Sequence, residues 1–328
     1  MINPDVTIVV VPRDHFSDSI ESLDSIYANS DTPFSLVYVD GGSPQRVARY
    51  LKEKAAQSGF RLIRKDHYLS PNHARNIGTD GVNTQYIVFI DNDVVVAPGW
   101  LSSLLNCANR TGAAVIAPLT FERRPLHTIV HFAGGESGIS RREVDGCIQG
   151  HITEKICKEP PPESIQTQLA EFHCFLIRTD VLRAIGGFDE QMLSLKDHLE
   201  FCITAREAGY RIQFEPASRV TFLPPETERL RLFDVPFYAL RWSDEWALSS
   251  LRRLLKKWDL AEDEYFARQY RNLGWRRRGV MMAKGVLHFL PSWKLKLAAE
   301  RLLRPLERRL NRLVSRRYSE RHMRSEST

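Results

Sequence analysis

The first ninety residues alternate between short apolar runs and longer stretches in which apolar residues recur at helical spacing. The apolar runs are rich in β-branched residues and are bounded by turn-forming residues, which predicts buried strands. They occupy residues 6–11, 34–39, 60–63 and 86–90. Because helical stretches separate them, the pattern predicts a parallel sheet in an α/β fold.

The pattern is less regular in the second half of the chain. Residues 115–117, 172–177 and 210–214 predict further strands, and a helix before the last of them ends at Gly209. Residues 121–169 contain Gly and Pro without a sustained period, which predicts a long loop of the kind that closes over a site. After residue 225, Trp, Leu and Arg become frequent. This composition predicts helices packed on the main body.

The end of the chain has the pattern of a basic amphipathic helix over residues 293–317. Its apolar residues share one helical face, with arginines elsewhere, and are Leu302, Leu303, Leu306, Leu310, Leu313 and Val314. Pro305 predicts a kink or a restart within this helix. Such a helix either lies in a membrane interface or docks on the protein or on another subunit. The pattern favours neither.

Charge is divided unevenly along the chain. The segment from Arg271 to Thr328 holds 16 of the 46 Lys and Arg residues and 4 of the 40 Asp and Glu residues. The basic pI of about 9.1 therefore belongs to this segment, and the body is acidic overall. Basic charge at one end indicates an anionic surface as partner. Interleaved Arg and Leu with few aromatic residues favour an anionic membrane over nucleic acid.

Cysteine usage and the absence of long apolar stretches favour a cytoplasmic protein. The five cysteines are scattered, with no CxxC pair, which argues against a disulfide framework and favours a reducing compartment. Met1 is followed almost at once by a predicted strand, so no secretory leader is expected. No run of eighteen apolar residues predicts a spanning helix. We expect a cytoplasmic location, peripheral at the inner face of the membrane if the tail binds lipid.

Carboxylates collect where the predicted strands end. Asp91 and Asp93 follow the fourth strand, and Asp40 follows the second. Ligands of parallel sheets bind beyond the carboxyl ends of the strands. Mg²⁺ and Mn²⁺ prefer oxygen ligands and are usually held by one or two carboxylates together with substrate phosphates. The triplet therefore predicts a divalent cation site, although an acidic turn at a strand end has the same composition.

The order of several short motifs resembles that of inverting glycosyltransferases of family 2, which have the GT-A fold. The motifs are Val-Val-Val-Pro at 9–12, Asp-Gly-Gly-Ser at 40–43, Ala-Arg-Asn-Ile-Gly at 74–78, Asp-Asn-Asp at 91–93, Gly-Gly-Phe-Asp-Glu at 186–190, and an acidic helix start before Ala-Gly-Tyr at 197–210. The resemblance covers roughly residues 5–222. It implies a mostly parallel sheet flanked by helices, with a Rossmann-like nucleotide-binding half.

The resemblance also implies a division of the chain. Residues 1–225 would form the GT-A domain, with the nucleotide-sugar half at about 1–118 and the acceptor half at about 119–225. Residues 226–328 would form a helical extension that carries the basic amphipathic tail. Because the long loop lies in the acceptor half, we expect it to close over the donor and exclude water.

The family's donor site maps onto the strand ends. The implied nucleotide-sugar-binding residues are Pro12, Arg13, Asp14, Asp40, Arg75, Asp91 and Asn92, and the implied metal ligands are Asp93 and Asp91. Arg13 pairs either with phosphate or with Asp14. Asp40 either accepts hydrogen bonds from the base or ribose or closes an Asx turn. Arg75 adds a cation beside the diphosphate.

Two positions depart from the family pattern. The implied catalytic residues are Asp197, His198 and Glu200, and His198 stands where the family places its carboxylate base. Asp197 and His198 are the leading candidates for the base, because carboxylate and imidazole can both accept the acceptor's proton, and Glu200 shares the face of Asp197. Phe222 stands where many relatives have a metal-binding His. His127, His131, His151 and His173 are available instead, and spacing selects none.

Together these features predict an inverting, hexosyltransferase-type glycosyltransferase. It would use Mn²⁺ or Mg²⁺ and move a sugar, most commonly UDP-linked in this family, to a hydroxyl of a growing glycan or lipid-linked saccharide. The alternative is a catalytically degenerate GT-A domain that binds nucleotide sugar or serves as a scaffold, because of the His198 and Phe222 departures. A dinucleotide-dependent oxidoreductase is disfavoured because no GxGxxG follows the first strand.

Overall fold

The computed structural model describes residues 5–144, 147–225, 230–284 and 289–322. The strands are β1 (Val6–Val11), β2 (Ser35–Gly41), β3 (Arg61–Lys65), β4 (Tyr86–Asp91), β5 (Val94–Val96), β6 (Val115–Glu122), β7 (Val130–Phe132), β8 (Gly135–Val144), β9 (Cys147–Ile156), β10 (Ile165–Thr167), β11 (Cys174–Arg178) and β12 (Ile212–Phe222). The helices are α1 (Ser19–Asn29), α2 (Gln45–Ser58), α3 (Pro71–Thr79), α4 (Trp100–Thr111), α5 (Thr179–Ala184), α6 (Asp197–Glu207), α7 (Val235–Arg241), α8 (Asp244–Trp258), α9 (Glu264–Arg271), α10 (Trp275–Lys284) and α11 (Trp293–His322).

Ten strands form one sheet in the order β10-β12-β6-β11-β4-β1-β2-β3, with β5 beside β12 and β7 beside β6. The half made of β3, β2, β1 and β4 is entirely parallel. In the other half, β11 runs antiparallel to both β4 and β6. Helices cover both faces, and the C-terminal region is helical. The predicted α/β fold with a mostly parallel sheet flanked by helices is confirmed.

The apolar runs are continuous because the central strands are buried on both faces. Along β1, Val9 and Val11 belong to one apolar cluster, whereas Ile8 and Val10 belong to the cluster on the opposite face. Side chains alternate between the faces of a strand, so a strand covered on both sides needs apolar residues at every position. This requirement explains why the sequence alone predicts these strands.

Helix α3 lies close against strand β1 because Gly78 has no side chain. A Cβ at Gly78 would stand 2.3 Å from Cγ1 of Val9, closer than two carbon atoms can approach without a shift. The glycine of the Ala-Arg-Asn-Ile-Gly motif is therefore a packing requirement. The close contact brings Arg75, one turn earlier on α3, to the end of β4, where it reaches Asp91.

The prediction that residues 121–169 form a long loop is wrong, because the segment contains regular strands. This segment completes β6 and then forms β7, the β8–β9 hairpin and β10. The hairpin is a separate two-stranded sheet in which Gly135 pairs with Ile156 and Val144 with Cys147. It leans on helix α6, where Arg206 donates to the Ser137 carbonyl at 2.6 Å, and on the end of α8, where Arg141 donates to the Trp258 carbonyl at 3.1 Å.

The helices after residue 230 pack on the main body. Leu251 and Leu254 of α8 and Phe266 of α9 belong to the apolar cluster that also lines the sheet. Helix α11 continues through Pro305 as a single helix, so the predicted restart is wrong. The division at residue 225 stays a prediction. No helix in the described parts of the chain is both long and apolar enough to cross a bilayer.

Candidate active site

Charged side chains are concentrated in the interior at the carboxyl ends of β1 and β4. Each is less than one tenth exposed: Arg13, Asp14, His15, Arg75, Asp91, Asp93, Glu171, His173, Asp197 and Arg241. A buried charge is costly unless it is paired and hydrogen-bonded. The partners of each group therefore show which charges the fold itself satisfies and which are left for a ligand.

Asp93 is the least satisfied carboxylate of the site. It is 1% exposed, and neither of its oxygens has a hydrogen-bond partner. Its nearest cation is His15, whose Nδ1 lies 3.6 Å from Oδ2. Burial raises the pKa of Asp93 well above its ordinary value, against the opposing effect of His15. The fold thus leaves both oxygens of this buried carboxyl group free to bind an added cation.

Asp91 is partly satisfied. Its Oδ1 accepts from Nη2 of Arg75 at 3.3 Å. Its Oδ2 has no hydrogen bond, although Nη1 of Arg13 stands 3.5 Å away and Nδ1 of His173 stands 3.2 Å away. Burial raises the pKa of Asp91 to about 6, against the opposing effect of the two arginines. One oxygen of Asp91 thus stays available beside Asp93.

Asn92, expected to face the nucleotide, holds the turn after β1 instead. Its Oδ1 accepts from the backbone N–H of Arg13 at 2.9 Å. Its Nδ2 donates to the His15 carbonyl at 2.7 Å and to Oγ of Ser19 at 2.8 Å. These bonds fix the chain between β1 and α1 against the end of β4. They explain why an amide stands between the two carboxylates.

Arg75, expected beside the diphosphate, links the Asp91–Asp93 triplet to helix α6. Its guanidinium group is fully buried and lies 4.4 Å from the centroid of Phe172. Nη1 donates to Asn72 at 2.9 Å and to Asp197 at 3.1 Å, while Nη2 donates to Asp91. Two carboxylates from distant parts of the sequence therefore share one buried cation.

Arg13 and Arg241 are buried cations with few partners. Nε and Nη1 of Arg13 and all three guanidinium nitrogens of Arg241 lack hydrogen bonds. Asp14 stands between them, 4.0 Å from Nε of Arg13 and 3.9 Å from Nε of Arg241. Burial, together with repulsion from Arg13, lowers the pKa of Arg241 to about 10. The fold therefore holds positive charge here that it does not fully compensate.

Asp40 closes the turn after β2. Its Oδ1 accepts from the backbone N–H of Ser43 at 2.9 Å, and its Oδ2 accepts from Oγ of Ser43 at 2.9 Å. Arg64 also donates to Oδ2. The Asx-turn alternative is thus present, and both oxygens are engaged. Pro12 follows β1 directly and leads into the turn that Asn92 holds.

Two histidines lie against Phe222, the residue that stands where many relatives have a metal-binding His. The ring of Phe222 stacks on His173, with centroids 3.9 Å apart and planes at 10°, and meets His131 edge-on at 4.8 Å. His173 together with Asp91 and Asp93 can present three ligand atoms within 4.8 Å of one another, and His131, Glu171 and His173 form a second such group. Burial lowers the pKa of His173 well below its ordinary value, so its imidazole is neutral and able to bind a metal.

Helix α6 brings Asp197 and His198 to the site. Nε2 of His198 lies 3.1 Å from Oε1 of Glu154 on β9 and 3.8 Å from Oε1 of Glu171, and its Nδ1 lies 3.9 Å from Oδ1 of Asp197. Burial alone would lower the pKa of His198, but these carboxylates raise it to about 10. His198 is therefore an imidazolium at neutral pH, which cannot accept a proton. Despite burial, His198, Arg13 and Arg75 hold the pKa of Asp197 well below its ordinary value.

Glu200 is engaged elsewhere. It accepts from Oγ1 of Thr204 at 2.8 Å and pairs with Lys257 of α8. This pairing ties α6 to the helical extension. The hairpin residue Glu154 has a similar tie, because it pairs with Lys196 and accepts from the Tyr265 hydroxyl at 3.1 Å.

Several site residues were not predicted from the sequence. They are His15, Glu154, Glu171 and Arg241, and His173 was not distinguished from the other histidines. Glu154, Glu171 and Arg241 lie far from every motif in the sequence, so no local pattern could have selected them. A signal existed for His15, which directly follows the predicted nucleotide-facing turn 12–14.

The residues present fit a divalent cation. Asp93 offers two oxygens, Asp91 offers one oxygen and His173 offers a nitrogen, and all four atoms are buried without hydrogen bonds. Carboxylate oxygens with one neutral imidazole form a suitable ligand set for Mn²⁺. Mg²⁺ prefers oxygen ligands and suits the two carboxylates without the imidazole. The ligand atoms that lack hydrogen bonds thus lie close enough together to bind one cation.

Residues 17–138 match the sequence profile described as glycosyl transferase family 2. This range includes the motifs at 40–43, 74–78 and 91–93 and ends before helix α6. The chain is also 27% identical over 218 residues to the pre-mycofactocin glycosyltransferase of Mycobacterium tuberculosis, a match that covers 66% of this chain and 42% of that protein. The chain therefore spans less than half the length of this relative. These matches confirm the predicted resemblance to glycosyl transferase family 2 over residues 17–138.

Two solved structures share the fold. GalNAc-T7 with UDP, GalNAc and Mn²⁺ superposes with a TM-score of 0.54 at 13% identity, over 86% of this chain and 58% of that chain. The mannosyltransferase PcManGT from Pyrobaculum calidifontis, in complex with GDP-Man and Mn²⁺, gives a TM-score of 0.51 at 14% identity, over 97% and 85%. These similarities confirm the GT-A fold.

Proposed function

We propose that this chain, which matches glycosyl transferase family 2 over residues 17–138, is an inverting hexosyltransferase-type enzyme. It transfers a sugar from a nucleotide-sugar donor to a hydroxyl of a growing glycan or lipid-linked saccharide. We propose a UDP-sugar as the donor. The observation that carries this proposal is the pair of unpartnered oxygens on the buried Asp93. A fold has no reason to bury such a carboxylate unless a cation satisfies it.

The proposed cation ligands are Asp93, Asp91 and His173. His173 would stand in for the family imidazole that Phe222 replaces, because Phe222 stacks on it and orients its ring. When bound, Mn²⁺ or Mg²⁺ supplies Lewis acidity toward the diphosphate leaving group. The related structures that contain Mn²⁺ with UDP or with GDP-Man support this reading.

The proposed diphosphate site is formed by Arg13 and Arg241. Their unpartnered guanidinium nitrogens are the donors that suit phosphate oxygens. Because α7 follows residue 225, the predicted helical extension would contribute directly to donor binding. Arg75 is proposed as a positioning residue, since Asp91 and Asp197 already engage both of its terminal nitrogens.

We propose Asp197 as the base that accepts the proton of the acceptor hydroxyl. A base must be unprotonated at the working pH, which Asp197 satisfies and His198 does not. His198, held by Glu154, is proposed to orient Asp197 and to carry positive charge near the acceptor. Glu200 has a structural tie to Lys257 and is not proposed to act on the acceptor.

This assignment predicts a flat pH profile at neutral pH. With Mn²⁺ and donor saturating, we expect kcat to vary little between about pH 6 and pH 8.5, because the pKa of Asp197 lies well below this range and a bound cation would keep Asp91 and Asp93 ionised. Asp197→Asn should lower kcat by roughly 10²- to 10⁴-fold, whereas His198→Gln should lower it less and leave the profile flat. Donor turnover at a series of pH values measures this. Activity that rises about tenfold per pH unit toward pH 10 would assign the base to His198 instead.

The proposed function is tested by nucleotide binding and turnover. We expect nucleotide sugars, screened by thermal shift, to stabilise the protein in the presence of Mn²⁺ and much less with EDTA. His173→Gln should weaken Mn²⁺ binding, read from the paramagnetic resonance of free Mn²⁺, by roughly tenfold or more. His151→Gln is the matched control, because His151 pairs with Asp263 at 2.8 Å, away from the triplet. Equal Mn²⁺ affinity in both variants would exclude His173 as a ligand.

The scaffold alternative predicts binding without chemistry. Nucleotide sugar would then bind with Mn²⁺, yet neither donor hydrolysis nor transfer to any glycan acceptor would be detected.

We also propose a cytoplasmic location, supported by the described cysteines Cys107, Cys157, Cys174 and Cys202, which are all free thiols.

A further inference from the structure

Helix α11 is packed with its polar face toward the protein. Glu300, Asn311 and Ser315 are buried on this face, at separations of eleven and four residues, which place them on one helical stripe. Glu300 and Glu307 accept from Arg278 and Arg277, each at 2.7 Å. Asn311 donates to the Ala239 carbonyl at 2.9 Å, and Ser315 donates to Glu245 at 3.2 Å. Ion pairs and hydrogen bonds therefore attach the helix to α7, α8 and α10.

The apolar face of the same helix points outward. Leu302 is 82% exposed, and Leu306, Leu310, Leu313 and Val314 are each more than half exposed. Leu295, seven residues before Leu302, extends this surface toward the start of the helix and is 51% exposed. We call these six residues the outer leucine face. The helix therefore docks on the protein, as one of the alternatives from the sequence had it, but through its polar face and not through its leucines.

This arrangement is the reverse of that in an ordinary surface helix, which turns its apolar stripe toward the core. Exposed apolar residues are common singly, but a contiguous stripe marks an interaction surface. The polar face is fixed by specific partners, so the helix cannot roll over to bury its leucines without breaking those ion pairs. The outer leucine face therefore requires an apolar partner outside this chain, either another macromolecule or a lipid bilayer.

The charged residues beside the outer leucine face indicate which apolar partner fits. Exposed basic residues flank the outer leucine face: Lys294, Arg301, Arg309, Arg312, Arg316 and Arg317. A second copy of the chain would bring two such basic borders together. Nucleic acid would satisfy the arginines but leave the leucines in water. An anionic bilayer satisfies both, because its headgroups meet the arginines while its acyl region takes the leucines.

We propose that α11 lies in the interface of an anionic membrane, with the outer leucine face inserted and the polar face holding the catalytic body on the surface. This surface acts independently of the proposed transferase activity. The helix is amphipathic and lies in the plane of the membrane, so it anchors without spanning. A lipid-linked or membrane-bound acceptor would then be presented close to the site.

Vesicle co-sedimentation of the full chain tests this. We expect pelleting with vesicles of phosphatidylcholine and phosphatidylglycerol at about three to one, and little with phosphatidylcholine alone. The triple variant Leu302→Ser/Leu306→Ser/Leu310→Ser should lower the partition coefficient at least about tenfold. Arg301→Gln/Arg309→Gln/Arg312→Gln should lower it roughly fivefold per arginine at low salt. Ile148→Ser/Leu232→Ser, which removes exposed apolar residues elsewhere, is the matched control and should pellet like wild type.

Folding and donor binding separate this test from the catalytic proposal. The leucines are exposed, so the triple variant should keep the wild-type thermal midpoint and its Mn²⁺-dependent nucleotide binding. Wild type that stays in the supernatant with anionic vesicles would overturn the proposal. So would a wild-type dimer by light scattering that the leucine variant converts to monomer, because a second copy would then cover the outer leucine face.

Discussion

Asp93→Asn is expected to abolish metal-dependent turnover and, at the same time, to stabilise the metal-free protein. The variant loses the carboxylate proposed to hold the cation, which should lower activity by roughly 10³-fold or more, equivalent to several kcal/mol of barrier. In EDTA it should be more stable than wild type by about 1–2 kcal/mol at neutral pH, because it removes a buried carboxylate that has no hydrogen-bond partner. Activity assays and urea unfolding measure the two effects.

The stability gain should depend on pH in a defined direction. The folded-state pKa of Asp93 is raised above the ordinary value of 3.8, mainly by burial. At acidic pH the carboxyl is protonated in both folded and unfolded states, so the charge costs nothing. As pH rises through the ordinary carboxyl range, only the unfolded state ionises freely, and wild type loses stability relative to Asp93→Asn. A gain that shrinks from pH 5 to pH 8 would contradict this account.

Asn92→Ala, one residue away, is the matched control and should show the opposite behaviour. It removes three hydrogen bonds that hold the turn after β1, at 2.9, 2.7 and 2.8 Å. We expect a loss of about 2–4 kcal/mol in the free energy of unfolding, with or without metal. If both variants change stability and metal response alike, the separate roles assigned within the triplet are wrong.

Arg75→Met is expected to destabilise the protein by about 3–5 kcal/mol, the largest effect on stability at the site. Methionine keeps much of the side-chain volume against Phe172 but leaves the carboxylates of Asp91 and Asp197 buried without their shared cation. Urea unfolding in EDTA measures the change. Arg253→Met is the matched control. Its ion pair with Asp189 at 2.7 Å is 29% exposed on the arginine side, so the expected loss is about 1 kcal/mol or less.

A second substitution tests whether the shared cation is the cause. Arg75→Met/Asp197→Asn removes one of the two orphaned carboxylates and should recover about 1–3 kcal/mol relative to the sum of the single variants. Activity should stay low in the double variant because Asp197 is the proposed base. Strict additivity of the two stability changes would show that Arg75 and Asp197 do not interact as the structure indicates.

The sheet could be predicted because its central strands are buried on both faces. The apolar runs at 6–11 and 86–90 correspond to Val6–Val11 and Tyr86–Asp91 within one residue. The β8–β9 hairpin could not, because Ile152 is the one buried apolar side chain among its described residues and its two strands pair with each other outside the main sheet. Its regular structure comes from backbone hydrogen bonds, which leave no apolar period in the sequence.

The sequence by itself predicted the resemblance to family 2, the strand ends and, as candidate site residues, Asp91, Asp93, Arg75 and Asp197, because these residues sit in short motifs tied to particular turns and helix starts. Only the tertiary structure decided what each one contacts. It placed Asn92 in contact with the turn after β1 and Glu200 in contact with α8, and it brought His173 and Arg241 close to Asp91 and Asp14. It also turned the leucines of α11 outward. Charge pairing and burial depend on groups distant in the sequence, so a local pattern specifies a side chain's chemistry but not its partner.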